Sequence, residues 1–150
     1  MYRIATALLG LTLIASCGSS MQSIEVKGND KDLMRLAGDW KGEYEVGTET
    51  KRKGKIVFSL SAGRHTANGQ VLMYADGVDA KPQPLKVSFV RVENGEINGV
   101  IDPYLDPVCK CQARTKFTGN QLGDIISGTF VTSLPTLEKE RAGTWRVARN

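Results

Sequence analysis

From Gly38 to the C-terminus, apolar residues recur at every second position. Trp40, Gly42, Tyr44 and Val46 alternate with Asp39, Lys41, Glu43 and Glu45, the pattern of a strand with one apolar and one wet face. The same rule predicts strands over residues 53–60, with Ile56, Phe58 and Leu60 on one side, and over 68–74 after a loop at 61–65. Leu85, Val87 and Phe89 mark the next strand, and Asn94-Gly95 has the backbone freedom for a tight hairpin into residues 96–101. Cys109, Cys111, Ala113, Thr115 and Phe117 then fall on one face, opposite Lys110, Gln112, Arg114 and Lys116. Gly119-Asn120 reads as the turn into residues 122–131, and Trp145 and Val147 mark a final strand.

About eight strands joined by short turns, with no segment patterned for a crossover helix, predict an all-β fold. An antiparallel sheet of that size has two edges to protect, and closing it into an up-and-down barrel removes both. An open sandwich or curved sheet is the architectural alternative. Leu33, Met34, Leu36 and Ala37 suggest one short helical turn before Gly38. Residues 17–32 are polar with little periodicity and are expected to be a flexible tether, which puts the barrel domain at 33–150.

Ahead of that tether, Arg3 precedes an apolar run over residues 4–14 and then Ala15-Ser16-Cys17. A cation, an apolar stretch and small residues before a cut form a secretory signal peptide, and a cysteine directly after the cut resembles a bacterial lipobox. Eleven residues at 1.5 Å each cover only ~17 Å of a ~30 Å hydrocarbon core, too little for a membrane span. The resemblance implies loss of residues 1–16 as signal peptide and acylation of Cys17 by chains such as palmitate, giving a lipoprotein. The resemblance also implies sorting by the residue after the cysteine, and Gly18 in place of the aspartate linked to inner-membrane retention implies the outer membrane, with the domain facing the periplasm. The other reading is a plain signal-peptide cut that leaves a soluble periplasmic protein.

The 134 residues from Cys17 carry 19 Lys or Arg against 16 Asp or Glu, a net charge of +3, in a length that suits one domain. The charges are interspersed, and Lys51-Arg52-Lys53 is the only short cationic run, so nothing points to nucleic acid. In an oxidising compartment the two remaining thiols, Cys109 and Cys111, are candidates for a local disulfide. Residues two apart on a regular strand lie ~6.6 Å between Cα atoms, the upper limit for such a bond, so a bulge is required. The segment Asp102-Pro103-Tyr104-Leu105-Asp106-Pro107 permits one. Free thiols, or a redox or metal role, are the alternatives. His65 is the single histidine, and no paired ligand spacing calls for a metal or other cofactor. There is no Gly-x-Ser-x-Gly elbow, His-Glu-x-x-His pair or phosphate-cradling loop, and Asp102 and Asp106 read as caps of backbone amides in a turn. The expectation is a protein that is not an enzyme.

Gly38-Asp39-Trp40 at the start of the first strand, the eight-strand meander after it and a basic residue near the C-terminus together resemble the lipocalin-like (calycin) barrels. In those families the tryptophan packs across the closed end of the barrel under an arginine from the last strand. The corresponding residues here are Gly38, Trp40 and either Arg146 or Arg149. The resemblance implies a barrel able to hold one small ligand among its inward side chains. Read as residues, Trp40 and Trp145 pin the first strand against the last. Phe58, Met73, Phe89 and Phe117 are the candidate cavity lining, with Tyr74 and Tyr104 near a mouth. Two functions are expected from different classes. One is a lipid-anchored envelope protein that binds a small apolar or amphipathic molecule. The other is a structural or protein-interaction module of the envelope, a class that includes inhibitors of periplasmic enzymes, working through residues 102–108 and 133–140.

Overall fold

The computed structural model describes residues 21–47, 53–74 and 81–150, and of Phe89 the backbone only. Its elements in chain order are β1 (Gln22–Lys27), α1 (Asp30–Leu36), β2 (Gly38–Val46), β3 (Lys53–Leu60), β4 (Thr66–Met73), β5 (Gln83–Leu85), β6 (Val87–Glu93), β7 (Glu96–Leu105), β8 (Gln112–Leu122), β9 (Ile125–Leu134) and β10 (Lys139–Arg149). The fold is the expected all-β barrel, closed with nine strands. Two antiparallel meanders, β2 to β5 and β6 to β10, join where β10 pairs with β2.

The second closure is made by β1. Near its C-terminal end β4 pairs with β5, but beyond Leu85 the chain turns away into β6 and a gap opens. β1 fills it, antiparallel to β4 and parallel to β6, so neither strand presents an open edge there. This corrects the expected tether over 17–32, because residues 22–36 form β1 and α1 and belong to the barrel domain. Ile24 and Val26 are buried while Ser23, Glu25 and Lys27 face outward, a two-residue period in a strand short enough to pass for polar linker.

α1 plugs one end. Asn29 caps it by accepting the Asp32 amide at 2.9 Å, and the buried Asp32 carboxylate accepts the amide of Asn94 at 2.8 Å, tying the helix to the β6–β7 hairpin. Leu33 and Leu36 point into the barrel, where Trp40 is fully buried and donates its indole N–H to the Leu36 carbonyl at 2.8 Å. Arg149, and not Arg146, lies over Trp40, its guanidinium 4.3 Å from the ring centroid. Arg146 is exposed on the outer face, opposite Glu43 of β2. Arg149 also donates to the carbonyls of Arg35 and Ala37, which the last turn of α1 leaves without helical partners, and pairs with Asp124 at 2.7 Å. Gly38 must be glycine on two counts: its φ is +133°, and a Cβ there would press on the Arg149 guanidinium.

Two turn assignments change. Gly119-Asn120 lies inside β8, and the turn falls at Gly123, whose φ of +61° is the left-handed conformation a tight turn needs. Cys109 and Cys111 precede β8 instead of sharing its face, because Lys110 adopts a φ of +54° and interrupts the alternation.

Arg149→Lys should lower stability by about 2 kcal/mol, since an ammonium cannot cover Trp40 and serve two carbonyls in one planar fork. Trp40→Ala should cost roughly 3–5 kcal/mol. Urea denaturation checks both, and a loss for Arg149→Lys no larger than for Arg146→Lys would contradict the first.

Candidate functional site

The inward faces of the strands surround a lumen, closed by α1 at one end and opening toward the β7–β8 and β9–β10 connections at the other. It is incompletely filled: the space open to the centres of water molecules is about 130 Å³. The reason lies in how four aromatic side chains are seated. Tyr44 stands opposite Gly54, Phe117 opposite Gly99 and Phe130 opposite Gly143 on neighbouring strands, while Trp145 crosses Gly128 to reach Gly119. In each case a Cβ on Gly54, Gly99, Gly143 or Gly119 would fall on or against the ring. The rings therefore lie along the wall, in sockets left by absent side chains, and the middle of the barrel stays open. Edge-to-face contacts between Tyr44 and Phe130 (5.6 Å) and between Phe117 and Trp145 (5.9 Å) hold them there. The Trp145 indole N–H is fixed by the Thr118 carbonyl at 2.9 Å.

Apart from Gln70 of β4, the lining is apolar except near the open end. There Tyr104, Thr115 and Thr132 share hydroxyl hydrogen bonds of 3.3 and 2.7 Å across β7, β8 and β9. Beside them Arg141 of β10 donates to Asp106 at 3.0 Å. Asp106 is almost wholly buried, and its other carboxylate oxygen accepts the amides of Val108 at 2.9 Å and Cys109 at 3.2 Å. The ion pair thus draws the 106–111 loop inward toward β10. A Cys109–Cys111 disulfide staples that loop, and the turn at Lys110 brings the two Cα atoms to 5.1 Å, well below the separation on a regular strand.

Of the four expected lining residues, Phe58, Met73 and Phe117 do line the cavity, with Phe58 stacked on Trp40 at 5.9 Å. The side chain of Phe89 lies outside the described residues, as does Cys17. Tyr104 lines the open end, whereas Tyr74 does not reach the lumen wall. Thr115 lies on the face that the sequence alternation gives to Phe117, but Arg141 and Thr132 were not read as lumen groups. Arg141 shares the parity of Trp145 and Thr132 that of Phe130, yet a charged or hydroxyl residue at such a position reads as surface. Of the two aspartates expected to cap backbone amides, Asp106 does so for Val108 and Cys109, and Asp102 does something else. Asp102 lies on the outside with Lys86 at 3.2 Å, and its carboxyl is held below the usual range by a hydrogen bond from the Ser88 hydroxyl and then by Lys86.

Comparisons with protein-family models, with curated proteins and with solved structures find no match to this chain.

Two predictions follow from this geometry. Because a three-residue loop contributes little closure entropy, replacing both Cys109 and Cys111 with serine should cost no more than about 2 kcal/mol and leave the barrel folded. Circular dichroism and thermal melting check this, and loss of the β-sheet signal on reduction would contradict it. The lowered Asp102 carboxyl stabilises the fold above the unfolded-state value of ~4, and this contribution disappears as pH falls through the folded value. Asp102→Asn should therefore flatten part of the acid limb of a stability–pH curve and leave the neutral-to-alkaline limb parallel to wild type.

Proposed function

We propose that this chain is an outer-membrane lipoprotein, anchored through acylated Cys17, whose periplasmic barrel binds one small apolar or amphipathic molecule. The observation that carries this reading is the open, apolar lumen lined by glycine-seated rings, with a single polar band at its mouth. A barrel needing only stability would gain from filling that space, since each missing contact forfeits dispersion and burial energy. The arrangement suits a ligand whose apolar body lies against Phe58, Met73 and Phe117 and whose polar end meets Arg141 and the Tyr104–Thr115–Thr132 hydroxyls. With one of its N–H groups directed to Asp106, Arg141 has further donors for an acceptor-bearing head group.

The test is a titration with an environment-sensitive anilinonaphthalene sulfonate probe. Wild type should show saturable binding at one site, displaced by long-chain amphiphiles. Gly99→Ala should drive the Phe117 ring into the lumen and weaken binding about tenfold or more, a loss of ~1.4 kcal/mol or greater, with the fold kept. Unchanged binding in Gly99→Ala would place the probe outside the lumen and sink the reading. For the anchor, the mass of protein extracted from membranes should show acylated Cys17, and Cys17→Ala should move the domain to the soluble fraction. An unmodified Cys17 contradicts it.

A further inference from the structure

The direction in which β1 enters the wall fixes where an anchor can hold the barrel. Gln22, the first residue of β1, stands opposite Gly69 of β4, and the strand runs from there toward the closed end. Cys17 precedes Gln22 by five residues, so its Cα stays within ~18 Å of the start of β1 whatever path the chain takes. The open rim at Met73 is four residues beyond Gly69, ~14 Å along the strand and within reach. The closed end lies past five residues of β1, ~17 Å, and then the ~10 Å thickness of α1, beyond reach.

The surfaces agree with this limit. Around β1 the described side chains of the outer wall are mostly polar, with Ser23, Glu25, Lys27, Asn68 and Arg91 exposed and Met21 the apolar exception at the start of the strand. The open end exposes Leu105 at 62%, Val108 at 57% and Leu137 at 44%; the closed end also exposes Leu122 and Met34 but lies beyond the reach of the anchor, so the reach and not the apolar surface alone selects the open end. Val108 projects from the disulfide-closed loop, and Leu137 from a single 3-10 turn over Pro135–Leu137. Around these three residues exposed Lys110 and Lys139 are matched by Glu138 and Glu140, so what this patch offers a bilayer is apolar contact.

Resting on the anchor reading above, we infer that the open end of the barrel sits on the bilayer, with Leu105, Val108 and Leu137 buried at the boundary between headgroups and acyl chains. So short a tether holds the rim at high effective concentration against the lipid, and three apolar side chains suffice where they would not bind a membrane alone. The mouth then opens onto the membrane, and a ligand passes between bilayer and lumen without crossing water.

The experiment uses the acylated full chain in vesicles of phosphatidylethanolamine and phosphatidylglycerol. A nitrobenzoxadiazole label is placed on Leu137→Cys at the rim or on Met34→Cys, an exposed position of α1 at the closed end. The rim label should shift to the blue and be quenched by doxyl-lipids, while the α1 label stays water-like. Mass measurement of the same preparation separates the two premises. An unacylated Cys17 overturns the anchor and the orientation with it, whereas an acylated chain whose rim label remains in water overturns the orientation alone. A rim label shielded only in native envelopes, and not in vesicles, assigns the surface to a protein partner and overturns the lipid contact.

Discussion

Closure of the ring by β1 is the constraint on which the rest of this structure depends. Where β4 and β6 part, both would present unpaired amides and carbonyls, each costing roughly 1–3 kcal/mol if buried without a partner. A six-residue strand supplies those partners and, through Ile24 and Val26, two apolar side chains for the interior. It also sets the size of the barrel. With β1 in place nine strands surround the lumen, more than inward side chains fill when several of those positions are glycine. The same insertion leads the chain straight into α1, so the element that closes the wall also delivers the plug for one end.

That plugged end and the open end are built on different physics. At the plugged end Asp32 is tied to Asn29 and Asn94, Arg149 to two carbonyls and Asp124, and Trp40 to Leu36, with aliphatic side chains packed between them; the buried Oε1 of Gln121 is the exception there among the described residues. At the open end the polar groups lie along one rim, the rings lie flat and the middle is left open. A closed, well-satisfied base beneath a hollow, polar-rimmed mouth is how a barrel keeps a lumen without losing its fold, because the base supplies stability that the mouth does not.

The period-two alternation made the fold class legible, since one inward face per strand is what a barrel demands. It failed where a residue's role is set by what lies across from it. Gly119 next to Asn120 looks like a turn in isolation, yet it is the socket for Trp145, two strands away. Gly54, Gly99 and Gly143 are equally silent in the sequence, because a missing side chain gains meaning only beside the ring that takes its space. β1 escaped notice because two apolar residues are too few to establish a period. Phe58, Met73 and Phe117 were legible as lining from parity alone, and Cys109 with Cys111 from spacing and compartment. Arg141 was not, because its place in the lumen depends on a buried carboxylate contributed by a loop 35 residues away.

A hollow receptor barrel is tested most directly by methyl-resolved NMR of the folded domain during titration with a lipid extract of bacterial envelopes. Methyl signals of Ile56, Val71, Ile101 and Ile126, which line the lumen, should shift together and saturate, while Leu122, exposed at the closed end, stays fixed. Lumen methyls that remain unmoved while exterior ones respond would contradict an interior binding site.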